Sequence, residues 1–116
     1  MRKLLFGLLL SGCVTAAQAA DWVYLGSSMG GTSLYSLSPV KTSKTNARVW
    51  VRYVEPSGVT QTNFYEFNCK TGYGRALSAV GRRANGSVYF EYDTPSEWLP
   101  VRPESVWDYA RTYACA

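Results

Sequence analysis

The sequence ARVWVRYV at residues 47–54 decides the fold class of this chain. Its odd and even positions differ in character: Ala47, Val49, Val51 and Tyr53 alternate with Arg48, Trp50, Arg52 and Val54. A period of two is typical of a β-strand and differs from the 3.6-residue period of a helix. The turn sequence EPSG follows at 55–58, and alternation resumes over 60–69. The two segments therefore predict a β-hairpin.

Further short strands are predicted on both sides of this hairpin. They are expected at 21–26, 32–37, 73–80 and 87–92, separated by glycine-rich or polar turns that include 41–46. Asn85-Gly86 predicts a type I′ turn, in which both central residues have positive φ. Residues 93–103 contain Pro95, Pro100 and Pro103, and we expect no regular structure there.

Only the C-terminal segment predicts a helix. Pro103 is tolerated at a first turn, and Glu104 and Asp108 favour the N-terminal end. One apolar stripe is expected to pack on the sheet, formed by Val106, Tyr109, Ala110, Tyr113 and Ala114. The predicted fold class is α+β: an antiparallel β-sheet of about five to six short strands with one C-terminal helix.

Residues 1–19 have the pattern of a cleaved signal peptide. Arg2 and Lys3 precede an apolar run at 4–10, and Ala17-Gln18-Ala19 matches the cleavage pattern, which leaves a domain at 20–116. The alternative is a lipobox, Leu10-Ser11-Gly12-Cys13, with lipidation at Cys13. We favour cleavage after Ala19, so a membrane is contacted only if the Cys13 anchor forms. Either route predicts an exported protein of the periplasm, outer membrane or cell surface.

Export leaves two cysteines, Cys69 and Cys115, which we expect to pair in an oxidising compartment. They stand 46 positions apart, too far for a redox-active CxxC pair. In the chain-entropy model such a cross-link contributes about 3–4 kcal/mol. A disulfide between the end of the 60–69 strand and the end of the helix would pin the helix to the sheet.

Composition excludes several function classes. The chain has no histidine, which rules out Ser-His-Asp and Cys-His catalysis and histidine-ligated metals. Removal of Arg2 and Lys3 leaves 10 basic and 8 acidic residues, and this small excess does not predict nucleic-acid binding. We expect no metal, no cofactor and no catalytic site.

Two carboxylates are candidates for a catalytic pair. Glu66 and Glu91 could stand on adjacent strands as a glycosidase-like pair. We favour the simpler interpretation, in which both are strand residues on the solvent face that pair with Arg48, Arg52 or Arg75 across the sheet.

The candidate binding surface combines arginines and aromatic residues: Arg75, Arg82, Arg83, Trp50 and Tyr89. The arginines near the Asn85-Gly86 turn could receive an anionic glycan or an acidic protein patch, although a solvated hairpin tip is the favoured interpretation. Abundant Tyr and Trp are typical of contact surfaces and equally of strands, and both explanations stay open.

Several segments together resemble one family. They are ADWV at 20–23, VWVRY at 49–53, YEFNC at 65–69, DTPSEWLPVRPES at 93–105 and the closing Cys115. In this order they are similar to the surface-adhesin protein E family of Gram-negative envelope proteins. The resemblance implies an antiparallel sheet with a C-terminal helix and a disulfide. It also implies adhesion to host epithelium and binding of matrix and serum proteins such as vitronectin and laminin.

We therefore expect a non-catalytic exported binding domain whose partner is a protein of the host matrix or of the envelope. The alternative is a soluble periplasmic accessory or inhibitor protein that acts on an envelope partner.

Overall fold

The computed structural model of the protein describes residues 21–116; the expected signal peptide at 1–19 and Cys13 lie outside the described residues. The strands are β1 (Val23–Ser27), β2 (Ser33–Ser36), β3 (Val40–Lys41), β4 (Asn46–Val54), β5 (Thr60–Asn68), β6 (Tyr73–Arg82), β7 (Val88–Tyr92) and β8 (Leu99–Pro100). Helix α1 (Val106–Ala114) follows them.

The strands form one antiparallel sheet with the order β1-β2-β4-β5-β6-β7. The short strand β3 also pairs with β4, and β8 pairs with β6. This arrangement confirms the predicted α+β class. The six strands of the main path match the predicted strands. The two-residue strands β3 and β8 were missed because so short a pairing leaves no periodic signal.

The predicted type I′ turn at Asn85-Gly86 is wrong. Gly86 has a φ of 90°, but among the described non-glycine residues only Glu104 has a positive φ. The Gly86 amide donates to the Arg83 carbonyl at 2.8 Å, and the Arg83 amide donates to the Ser87 carbonyl at 2.8 Å. This pattern matches a type I turn followed by a left-handed glycine, which requires positive φ at one residue instead of two.

Helix α1 begins later than the sequence predicts. Ser105 is the N-cap, and its Oγ accepts a hydrogen bond from the Asp108 amide, so Pro103 and Glu104 precede the helix. Ala110 and Ala114 are fully buried as expected, but Tyr109 is 42% exposed. Trp107 packs on the core in its place, because Gly74 leaves room beside Phe67 for the indole ring.

The helix lies on one face of the sheet and encloses the core there. Leu34, Val49, Val51 and Phe67 are almost completely buried in it. The predicted disulfide is confirmed: Cys69 and Cys115 are joined, with their Cα atoms 5.6 Å apart. It connects the end of the helix to the end of β5, and thereby determines which sheet face is covered.

Candidate contact surface

The sheet face opposite helix α1 is not covered by any other described element, and we call it the open face. On β4 the odd-numbered residues point into the core, so Arg48, Trp50 and Arg52 lie on the open face. Opposite residues of antiparallel strands share a face. The register of Trp50 with Phe64 and of Arg48 with Glu66 therefore extends the open face across β5.

Glu66 is the buried charge of this face. Its side chain is only 6% exposed, and its Oε1 accepts two hydrogen bonds from Arg75, at 2.9 and 3.2 Å. Asn46 donates to Oε2 at 2.9 Å, and Arg48 lies 3.7 Å from Oε1. Burial raises the pKa of the Glu66 carboxyl, but these hydrogen bonds and nearby positive charges outweigh it and hold that pKa below its usual value. Glu66 therefore stays ionised and orients Arg75.

The predicted alternative of a Glu66–Glu91 pair is not formed. Glu66 stands opposite Arg75 of β6, whereas Glu91 stands opposite Val80 of the same strand. The two carboxylates belong to β5 and β7, with β6 between them, and they are offset along it. The predicted pairing of Glu66 with arginines is confirmed for Arg48 and Arg75. The predicted solvent exposure of Glu66 is wrong, because these partners bury it, and Glu91 forms no ion pair among the described residues.

Aromatic rings accompany the arginines of the open face. Trp50 and Phe64 stack with ring centroids 4.6 Å apart, and Trp50 remains 40% exposed. The Arg75 guanidinium lies 4.6 Å from the centre of the Trp98 ring. Each contact fixes the direction of a large side chain, so the exposed groups are presented in defined positions.

The five residues predicted as one binding surface are not brought together. Trp50 and Arg75 lie on the open face. Tyr89 lies on the opposite face, because its ring would be 2.8 Å from a Cβ at Gly81, which stands opposite Gln61, an odd-numbered residue of β5 on the helix-facing side. Arg83 covers Tyr89 at 5.5 Å, and Arg82 donates to the carbonyl of Gly86 within its own turn. Arg82 stands opposite Thr60 of β5 and so stays on the open-face side at the hairpin tip, whereas Arg83 and Tyr89 are separate from the open face.

Sequence reasoning missed three members of the open face: Trp22, Arg52 and Trp98. Arg52 donates from Nε to the Thr62 hydroxyl at 3.1 Å and lies 4.3 Å from the centre of the Trp22 ring. The alternation of Arg48, Trp50 and Arg52 in β4 is the signal that could have identified it. Trp22 and Trp98 reach the face from short or irregular segments, which carry no such signal.

A buried polar cluster lies on the helix-facing side of the sheet. Tyr53 and Tyr65 share a hydrogen bond between their hydroxyls at 2.6 Å, and Asn63 donates to the Tyr65 hydroxyl at 2.8 Å. Burial is the main cause that raises the pKa of Tyr65 above its usual value. Both hydroxyls therefore stay protonated and serve as hydrogen-bonding groups of the core.

The fold and this face define an α+β protein with one helix-covered sheet face and one open face of arginines and aromatic rings. Within residues 21–116, no group of three or more His, Cys, Asp or Glu residues is placed to hold a metal ion. No helix in that range is long and apolar enough to cross a membrane. Comparison with protein-family models, curated proteins and solved structures finds no match to this chain.

Proposed function

We propose that this protein is a non-catalytic, exported binding domain of the surface-adhesin protein E kind, and that it adheres to host or matrix proteins through the open face. The observation that carries the proposal is the exposed, ordered Trp50 at the centre of that face, stacked on Phe64. Tryptophan and arginine are the residue types most enriched where binding energy concentrates in protein interfaces. The open face presents both.

The ordering of these side chains supports a contact role. Arg75 is held by Glu66 and by the Trp98 ring, so little side-chain entropy is lost when a partner covers it. Trp98 is 36% exposed and can bury further area on binding. The Cys69–Cys115 disulfide is compatible with an oxidising, exported compartment.

Binding to immobilised vitronectin and laminin, freed of glycans, tests the proposal. We expect saturable binding that Trp50→Ala and Trp98→Ala each weaken about tenfold or more, the loss typical of an interface anchor. Tyr109→Ala is the matched control, since Tyr109 is equally exposed but belongs to the helix. Absence of saturable binding, or equal losses in all three variants, would contradict the proposal.

Localisation supplies a separate test. We expect protease added to intact cells to degrade the protein, because an adhesin must be displayed on the surface. Mass spectrometry of the N-terminus distinguishes cleavage after Ala19 from lipidation at Cys13. A protein that is fully protected in intact cells would instead support the periplasmic accessory function.

A further inference from the structure

Strand β4 presents two arginines on either side of a tryptophan on the open face. Arg48, Trp50 and Arg52 alternate with buried residues, and we call these three the β4 strip. A strand rises about 3.3 Å per residue, which places the two arginine backbones about 13 Å apart. The strip is therefore a row of cation, ring and cation along one line.

Arg52 is oriented but not neutralised. Within residues 21–116 its one hydrogen bond runs from Nε to Thr62, and no carboxylate lies within ion-pair distance of it. The Trp22 ring supports the guanidinium at 4.3 Å. The two terminal NH2 groups of Arg52 donate no hydrogen bond to the described residues, so they are available to a ligand. A cavity of about 250 Å³, lined by Trp22, Tyr35, Arg52 and Val54, opens beside them.

Arg48 is paired only weakly. It lies 3.7 Å from Glu66 Oε1, the oxygen that already accepts two shorter hydrogen bonds from Arg75. Its Nε is buried and has no hydrogen-bond partner among the described residues. A second cavity, of about 310 Å³, is bounded by Arg48, Trp50 and Phe64 and is also lined by Ser38 and Thr42.

We propose that the β4 strip binds an anionic polysaccharide, with the carboxylate or sulfate groups of the sugar on Arg48 and Arg52 and a sugar ring stacked on Trp50. A guanidinium presents a planar fork of donors that matches an oxyanion, and it is more weakly hydrated than an ammonium group. The exposed indole offers an apolar surface to the C–H face of a sugar ring. This inference rests on the proposed function, because it assigns a ligand class to part of the same face.

The fixed placement of the strip, and not the net charge of the chain, favours a specific sugar polymer over general binding of polyanions such as nucleic acids. The expected mature chain has only 10 basic and 8 acidic residues, too small an excess for general polyanion attraction. The strip instead places two cations at a fixed spacing around one ring. Selectivity between polyanions of similar charge is therefore the property that tests the idea.

The test measures binding of the purified, disulfide-intact protein to heparin at about 0.1 M salt, where the Debye length is about 10 Å. We expect heparin to bind, hyaluronate to bind more weakly because it lacks sulfate, and neutral dextran not to bind. Affinity for heparin should fall as salt rises. No heparin binding, or equally tight binding of a single-stranded DNA of matched charge, would overturn the proposal.

Substitutions locate the site. Arg52→Gln is expected to weaken heparin binding about tenfold, and the Arg48→Gln/Arg52→Gln double variant about 100-fold. Arg52→Lys should recover part of the loss, since it restores charge without the fork. Arg102→Gln removes an exposed cation elsewhere and should leave affinity within about twofold. An unchanged affinity of Arg52→Gln, with an unchanged urea midpoint, would overturn the assignment to the strip.

The ligand classes separate this inference from the proposed function. Heparin binding without binding of glycan-free vitronectin or laminin retains the β4 strip and refutes protein adhesion. Binding of the glycan-free proteins without heparin binding retains protein adhesion and refutes the assignment of a sugar polymer to the β4 strip.

Discussion

Removal of the Cys69–Cys115 disulfide should produce the largest loss of stability available from a conservative substitution. The cross-link closes a loop with a sequence separation of 46 residues. In the chain-entropy model a loop of that length contributes about 4 kcal/mol. Folded domains of this size have about 5–15 kcal/mol in total, so the Cys69→Ala/Cys115→Ala variant should keep only a marginal fold.

Urea unfolding of the wild type and the double variant measures the loss. With a urea dependence of about 1–3 kcal/mol per molar, the midpoint should fall by about 1–4 M. Cys69→Ser/Cys115→Ser is the matched control, because it removes the same cross-link but leaves a polar side chain. A similar loss in both variants shows that the effect does not depend on the polarity of the replacement side chains, as expected when the lost cross-link causes it.

The loss should be concentrated in helix α1. The helix has nine residues, and isolated helices shorter than about 12–15 residues are marginal in water. Its fully buried contacts are the small side chains of Ala110 and Ala114. Hydrogen exchange should therefore show α1 amides exposed before those of β5. A loss below about 1 kcal/mol, or equal protection of α1 and β5 in the variant, would refute this reasoning.

The remaining predictions concern a close contact, a buried carboxylate and a helix cap. Gly74→Ala should lower the free energy of unfolding by about 1–3 kcal/mol, because its Cβ would lie 2.7 Å from the Phe67 ring; an unchanged urea midpoint would contradict this. Glu66→Gln should cost about 1.5–3 kcal/mol at neutral pH, because Arg75 loses its charged partner. The folded-state pKa of Glu66 is lowered from 4.5, so its contribution is complete well above that pH and disappears as pH falls through the folded-state pKa. Urea unfolding at decreasing pH should show the free energies of unfolding of the wild type and Glu66→Gln converging, and a difference that stays constant would contradict the predicted direction of the pH dependence. Ser105→Ala should lower the free energy of unfolding by about 1 kcal/mol, because the Asp108 amide loses its capping acceptor. Ser105→Asp keeps an acceptor and should lose less, and thermal melts of the two variants measure the difference.

The sequence predicted those parts of the fold that depend on periodicity and on cysteine pairing. Strands β4 and β5 follow from alternation, because one face of each is buried and the other is not. The helix boundary was wrong because Pro103 is compatible with a first turn, while the capping hydrogen bond from Asp108 to Ser105 selects a later start. Tyr109 was placed on the buried stripe because a period of 3.6 does not reveal the space that Gly74 leaves for Trp107.

The structure does not bring the residues of the predicted contact surface together in one patch, because sheet faces depend on bulges as well as on strand order. Tyr89 falls at the register shift between Gly81 and Arg82 of β6. An extra residue in one strand changes which face later side chains occupy, and no single-sequence pattern marks it. The same limit applies to Trp98, which reaches Arg75 from the irregular segment before β8.

The open face itself could have been derived from the sequence by one further step. Cys69 has the same odd parity as Tyr65 and Phe67, so a disulfide from the helix end to Cys69 requires the helix to cover the odd face of β5. The turn at 55–58 pairs Val54 with Thr60, which places odd residues of β4 opposite odd residues of β5. The even residues of β4 are then left on the uncovered face. The disulfide therefore does more than stabilise the fold, since it commits Arg48, Trp50 and Arg52 to the surface that a ligand can reach.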